Sequence, residues 1–373
     1  MSPDLAQSCA SDALALPTEA HLAAILAQRA DLSDAALTDL MARSRVAGMW
    51  AWIRLGRPTS PPAGPLGAAL RDRLVEELAA DARLRVVLEG LSRAGIEPLL
   101  LKGAGLAHDI YPMPWLRPRA DEDLLVPRAT FAAACDVIGS LGYAHIPSNP
   151  DAEETGQAHF TRIFRDGSCH HIDLHWRPLI PRAFTDLPDY DALRRSARPL
   201  PALGTGAWQS SLAHALVLAC AHRVAHHTAD EDPIWLLDVH LLASRLDETD
   251  WDTVVETARS GRVTAICAAE LSVASAQLDT RVPSDVQRRL GAMRGEPSAR
   301  YLHARSRLHR VWLDLMDRPD RWHAVRSRVW PSRAYMRWKY GRSDVWLPAL
   351  YLWRLGAGAA GWLAEAIRRM RMR

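Results

Sequence analysis

The sequence predicts an α+β protein, a small mixed sheet flanked by helices, with further helical regions before and after it. Three observations carry that prediction. Between residues 96 and 176, short apolar or alternating runs of strand size are separated by segments with the three- and four-residue apolar spacing of helices. Residues 66–93 repeat leucine and valine on one helical stripe. From residue 208 onward the helical period returns and strand-like alternation ceases.

Residues 19–53 read as helices because Leu22, Ile25 and Leu26, then Leu37, Leu40 and Met41, recur at helical spacing. Prolines and glycines make 57–65 a linker. A long helix follows over 66–93, with Leu70, Leu74, Leu78, Leu84, Val87, Leu88 and Leu91 on its stripe, and Ala94-Gly95 ends it. The apolar run 96–101 predicts a buried strand. Lys102-Gly103-Ala104-Gly105 turns the chain into a short helix ending near Tyr111-Pro112. Residues 121–126 predict a second strand, Pro127 opens an amphipathic helix to about Leu141, and strands follow near 143–147, 157–165 and 168–176. Helices are expected over 208–228, 233–246, 250–260 and 262–278. Four units result: an N-terminal helical segment and linker (1–65), the sheet-bearing core (66–205), a helical domain (206–290) and a basic, Trp- and Arg-rich helical region (291–373).

With 48% hydrophobic and 24% charged residues, the chain is neither disordered nor fibrous. Cys9, Cys135, Cys169, Cys220 and Cys267 lie far apart without a C-x-x-C pair. A disulfide framework or structural zinc is therefore not expected, and a reducing cytoplasm fits. No signal peptide and no membrane-spanning helix are expected from the apolar patterning.

The formal charge of +3 conceals two asymmetries. Of 46 basic residues only Lys102 and Lys339 are lysine, so each marks a position where the default arginine was not used. Residues 288–373 hold twenty Lys/Arg against six Asp/Glu, together with seven of the fourteen tryptophans, and leave the rest of the chain acidic.

The carboxylates of Asp121-Glu122-Asp123 and Asp173 are the strongest chemical signal. Alternation along a strand puts Asp121 and Asp123 on one face and Glu122 on the other. In His170-His171-Ile172-Asp173-Leu174-His175-Trp176 the same period groups His171, Asp173 and His175, and turns Ile172, Leu174 and Trp176 toward a core. Same-face carboxylates repel unless a cation lies between them, and oxygen-rich sets of this kind suit Mg²⁺, including pairs of ions that bridge nucleotide phosphates. A D-x-D pair alone is also common on solvated faces, where Arg117 and Arg119 would form weak surface ion pairs with it. Leu99-Leu100-Leu101-Lys102-Gly103 is the second signal: a strand entering a glycine turn offers backbone N–H groups and a lysine charge to a phosphate. It is not a G-x-x-x-x-G-K-[ST] loop.

Taken in order, Leu101-Lys102-Gly103, Tyr111-Pro112, Arg117-Pro118, Asp121-Glu122-Asp123-Leu124-Leu125-Val126, Gly142-Tyr143, His159 and Ile172-Asp173-Leu174-His175-Trp176 resemble an uncharacterised nucleotidyltransferase family of bacteria. That family is a branch of the polymerase β-like nucleotidyltransferase superfamily. The resemblance covers roughly residues 79–290 and includes Asp238 in Trp235-Leu236-Leu237-Asp238-Val239. It implies a polymerase β-like core and transfer of a nucleotidyl group from an NTP to an acceptor hydroxyl or phosphate. Asp121, Asp123 and Asp173 would be the catalytic, metal-holding carboxylates for Mg²⁺, with two ions expected. Lys102 and Gly103 would bind phosphate where better-known relatives carry a Gly-Gly or Gly-Ser pair. Arg117, Arg119, His159 and His175 would line the nucleotide site. The resemblance further implies a peptide or small-molecule acceptor in natural-product tailoring. Related phosphoryl or glycosyl transfer to a peptide, and a catalytically silent scaffold, are the alternatives.

His222 and His226 sit at i, i+4 on an expected helix, flanked by His214 and His240, but the glutamate of H-E-x-x-H is missing. They read as hydrogen-bonded interface residues or as one further contact of the nucleotide pocket. In the tail, the favoured reading packs Trp312, Trp322, Trp330, Trp338, Trp346, Trp353 and Trp362 inward. A second reading lays 345–373 on an anionic membrane, at the inner face of a cytoplasmic membrane. A nucleic-acid surface ranks lowest, so nucleic acid is not an expected partner.

Overall fold

The computed structural model describes residues 15–148, 155–227, 233–292, 295–304, 306–341, 347–354 and 356. At its centre, strand β2 (Glu122–Leu125) is buried along its whole length. It runs antiparallel to β1 (Leu99–Leu100) on one side and parallel to β5 (Cys169–His175) on the other. With β3 (Ala144–Ile146), β4 (Gln157–Ile163), β6 (Arg198–Pro199) and β7 (Trp208–Gln209), they form a seven-stranded mixed sheet of order β3-β4-β5-β2-β1-β7-β6. The expected α+β class and mixed sheet are what the chain adopts.

Alternation distributes each strand between two apolar clusters. Leu100, Leu124, Ala158, Phe160, Ile172 and Leu174 face Leu84, Val87, Leu88 and Leu91 of the long helix α4 (Pro65–Arg93) and Ala134 and Ile138 of the helix Phe131–Ser140. Leu99, Leu101 and Leu125 face the opposite cluster, shared with the helices Leu212–His226 and Ile234–Ala243. The N-terminal helices α1 (Glu19–Ile25), α2 (Asp34–Met41) and α3 (Ala47–Arg54) belong to that second cluster through Leu22, Leu37 and Trp50. Trp50 is fully buried and its indole N–H donates to Glu19 at 2.8 Å. The site therefore lies where the sheet meets the later helices.

Pro65 stands at the first turn of α4, where its missing N–H costs nothing, so the linker prolines stop at the helix boundary that the sequence marks. The expected helix start at 208 fails in detail. Trp208 and Gln209 do not begin a helix; they pair parallel to β1 and antiparallel to β6. The helix begins at Leu212, four residues later than expected, because Ser211 caps it by accepting from the His214 N–H. Among the described residues no helix is long and apolar enough to cross a membrane.

The inward packing expected of the tail tryptophans is overturned for those described. Trp312, Trp322, Trp330, Trp338 and Trp353 are 52% to 77% exposed. The inward positions of these helices are taken by Leu313, Ala324, Met336 and Leu350. Trp346, Trp362 and most of 345–373 lie outside the described residues.

Candidate active site

Parallel pairing of β2 with β5 sets Asp123 directly beside Asp173, and antiparallel pairing of β4 with β5 sets His159 beside Asp173 in turn. These side chains share one face, while Glu122 points to the other. Asp123 is buried; its Oδ1 accepts from Lys102 Nζ at 3.1 Å and from His175 Nε2 at 3.1 Å. Asp173 accepts from His159 Nδ1 at 2.6 Å and from Gln157 Nε2 at 2.7 Å. Asp121 lies immediately before the strand, half-buried.

The electrostatics follow from this crowding. Burial, then the charges of Asp123 and Asp173, pushes the Asp121 carboxyl up to about 7 against the pull of Lys102. Burial acts on Asp123 in the same sense, but Lys102 and the His175 hydrogen bond outweigh it and hold that carboxyl well below the usual range. The His159 imidazole is desolvated, yet its bond to Asp173 raises it.

Lys102 leaves the end of β1 through Gly103, whose φ of +52° favours glycine. A Cβ at Gly103 would stand 3.5 Å from the Asp121 carbonyl oxygen, and one at Gly105 would stand 3.2 Å from the Leu100 Cβ. The turn thus holds the lysine against the D-x-D strand. The Lys102 ammonium also donates to His222 Nε2 at 3.2 Å and lies 5.5 Å from the Trp235 ring centroid. Burial and the Lys102 charge push His222 well down, and burial with the same charge pushes His226 down to about 3. Both imidazoles are therefore neutral near pH 7, and His222 is able to accept.

Among the described residues, Asp123, Asp173 and His175 bring ligand atoms within 4.8 Å of one another. Asp123 Oδ2 and His175 Nδ1 are buried without a hydrogen-bond partner. Such orphaned acceptors are costly unless a cation or donor satisfies them, and with Asp121 alongside they fit a divalent metal.

Other expected residues are placed elsewhere. Arg117 is buried and grips Asp238 with two bonds of 2.8 and 2.7 Å, while the Tyr111 hydroxyl donates to the same carboxylate at 2.7 Å. Arg119 lies on the far side of the sheet with Glu77, Asp81 and Glu122. Neither forms the expected pair with Asp121 or Asp123, and both guanidinium groups are committed away from the carboxylate pair. His214 bonds Ser211 and Ser196, and His240 bonds Thr280 and the Ala15 carbonyl. Sequence reasoning missed Gln157, although its two-residue spacing from His159 places both on one strand face, and did not foresee His222 as the partner of Lys102.

Glu77, Asp81 and His108 form a second group with converging ligand atoms, but Arg119 already supplies its cation. One guanidinium among three carboxylates leaves an excess of negative charge, and burial first of all pushes Glu77 up to about 8 from an ordinary 4.5. A raised acid holds its proton more tightly folded than unfolded, so its contribution erodes stability as pH rises from about 4.5 to about 8. Glu77→Gln is expected to flatten that slope, gaining on wild type toward pH 8, as denaturant midpoints across this range would show.

Residues 32–279, well over half of the chain, match the family described as uncharacterised nucleotidyltransferase. The chain belongs to that family. Nucleotidyl transfer, with an NTP as donor, is the activity that membership assigns to this nucleotidyltransferase, and the protein is an enzyme on that ground. No curated protein matches it. The crystal structure of JHP933 from Helicobacter pylori aligns with 68% of this nucleotidyltransferase and 97% of its own chain, at 11% identity and a TM-score of 0.31. So distant a likeness carries no inference.

Proposed function

We propose that this nucleotidyltransferase uses Mg²⁺ to move a nucleotidyl group from an NTP to a hydroxyl or phosphate of a peptide or small molecule. The observation that carries this reading is the in-register pair Asp123 and Asp173, with the unsatisfied buried atoms of Asp123 and His175, in a chain of nucleotidyltransferase ancestry. Asp121, Asp123 and Asp173 would hold the metal, as two ions, with His175 beside them. A bound divalent ion supplies charge neutralisation for the phosphate oxygens.

The remaining work falls to the chain's own side chains. Asp173, oriented by Gln157 and His159, accepts the proton of the attacking acceptor group. The acceptor oxygen bonds the α-phosphorus in line as the bond to the leaving pyrophosphate breaks. Lys102 and the Gly103 backbone face the triphosphate. The charge-neutralising role expected of Arg117 and Arg119 passes to Lys102, since both arginines are held by other carboxylates.

Calorimetry with Mg²⁺ and each NTP tests the reading. Asp121→Ala is expected to abolish both binding and transfer while circular dichroism stays unchanged. Label from α-labelled ATP should enter the product and label from γ-labelled ATP should not; the reverse pattern would establish phosphoryl transfer. Nucleotide binding without turnover would establish a silent scaffold.

A further inference from the structure

Beyond the catalytic face, the C-terminal helices turn their largest side chains outward. Trp330, Trp338 and Trp353 are 60%, 52% and 67% exposed, and Leu352 is 69% exposed. Ring contacts gather several of these residues into one surface. Trp330 stacks on Tyr351 at 5.8 Å, Tyr335 meets Trp338 at 6.0 Å, and Lys339 and Arg354 each lie 5.6 Å from the Tyr335 centroid. The Tyr351 hydroxyl donates to the Pro331 carbonyl, tying the last described helical segment to this cluster. Residues 321–341 carry six Lys/Arg and no Asp or Glu, and Arg333, Arg337 and Lys339 are exposed. Single exposed apolar residues need no explanation, whereas a contiguous patch of them does.

We propose that this surface docks the protein on an anionic lipid membrane. Tryptophan beside leucine suits the headgroup level, where an indole keeps an apolar body and a polar N–H, and the cations meet lipid phosphates. The choice of lipid rests on charge and on ring geometry. The stretch 321–341 has no carboxylate to offer a basic partner. Nucleic-acid platforms need open ring faces for bases, but Trp330 is already stacked on Tyr351, and Tyr335 carries Lys339 and Arg354. The surface lies largely upstream of the 345–373 segment that the sequence alone singles out.

Flotation of the full-length protein with neutral phosphatidylcholine vesicles, and with vesicles containing phosphatidylglycerol, tests the proposal. Wild type should float with the anionic vesicles only, and less so as salt rises. Trp330→Ser/Trp338→Ser/Trp353→Ser, and separately Arg333→Glu/Arg337→Glu/Lys339→Glu, should each weaken partitioning roughly tenfold or more. Nucleotide binding should be unchanged in both, which keeps this test independent of the catalytic reading. No flotation, equal flotation with neutral vesicles, or variants that float like wild type would overturn it. So would single-stranded RNA binding that these variants lose while vesicle binding persists.

Discussion

Asp123→Asn should lower nucleotidyl transfer by about a thousandfold or more, the scale on which loss of a preorganised charge at a reacting phosphate is felt. Asparagine keeps the shape of the side chain and an acceptor for the His175 hydrogen bond, so the sheet should persist. It removes the negative charge that Lys102 neutralises and the oxygen that stands buried without a partner. Calorimetry should show Mg²⁺ affinity lost together with activity, and far-ultraviolet circular dichroism should match wild type. A variant retaining both metal binding and turnover would remove Asp123 from the site. The companion Lys102→Met should behave differently. It leaves every carboxylate in place, so metal binding should persist while nucleotide affinity falls.

Arg117→Ala should destabilise the protein by about 3–5 kcal/mol, the cost of stranding a buried carboxylate. Asp238 is wholly buried, and its carboxylate is held by the Arg117 guanidinium and the Tyr111 hydroxyl. Burial works against the Arg117 charge, but Asp238 outweighs it and keeps the guanidinium firmly protonated. Urea midpoints would measure the loss. Arg117→Met/Asp238→Leu should recover much of it, because removing both charges leaves neither uncompensated. If the double variant were no more stable than Arg117→Ala, the pair would not be the source of the effect.

The sheet and its carboxylates were legible because strand alternation is a local property. Asp123 opposes Glu122 by spacing alone, and Ile172 and Leu174 reach the α4 core for the same reason. The short strand at Trp208–Gln209 was not legible: two residues show no period, and their pairing depends on β1 more than a hundred positions earlier. Arg117 and Arg119 were misplaced on similar grounds. Four and two positions before Asp121, a surface ion pair is the economical guess, yet the Arg117 partner lies 121 residues away. A second partner of Lys102, besides Asp123, lies 120 residues away, on a helix whose histidines announced themselves without saying what they faced. Local patterns encode which way a side chain points, and only the assembled fold decides what it meets.

The parallel register that sets Asp123 against Asp173 also governs how such a chain can change over generations. The stretch between the two strands holds the helix Phe131–Ser140, β3 and β4, and its loops can lengthen or shorten without moving either carboxylate. A single residue inserted within Cys169–His175 ahead of Asp173 would send that carboxylate to the apolar side of the sheet, among Leu88 and Ile138. Loops in this region are therefore free to diverge toward new acceptors, while the reading frame of one seven-residue strand is not.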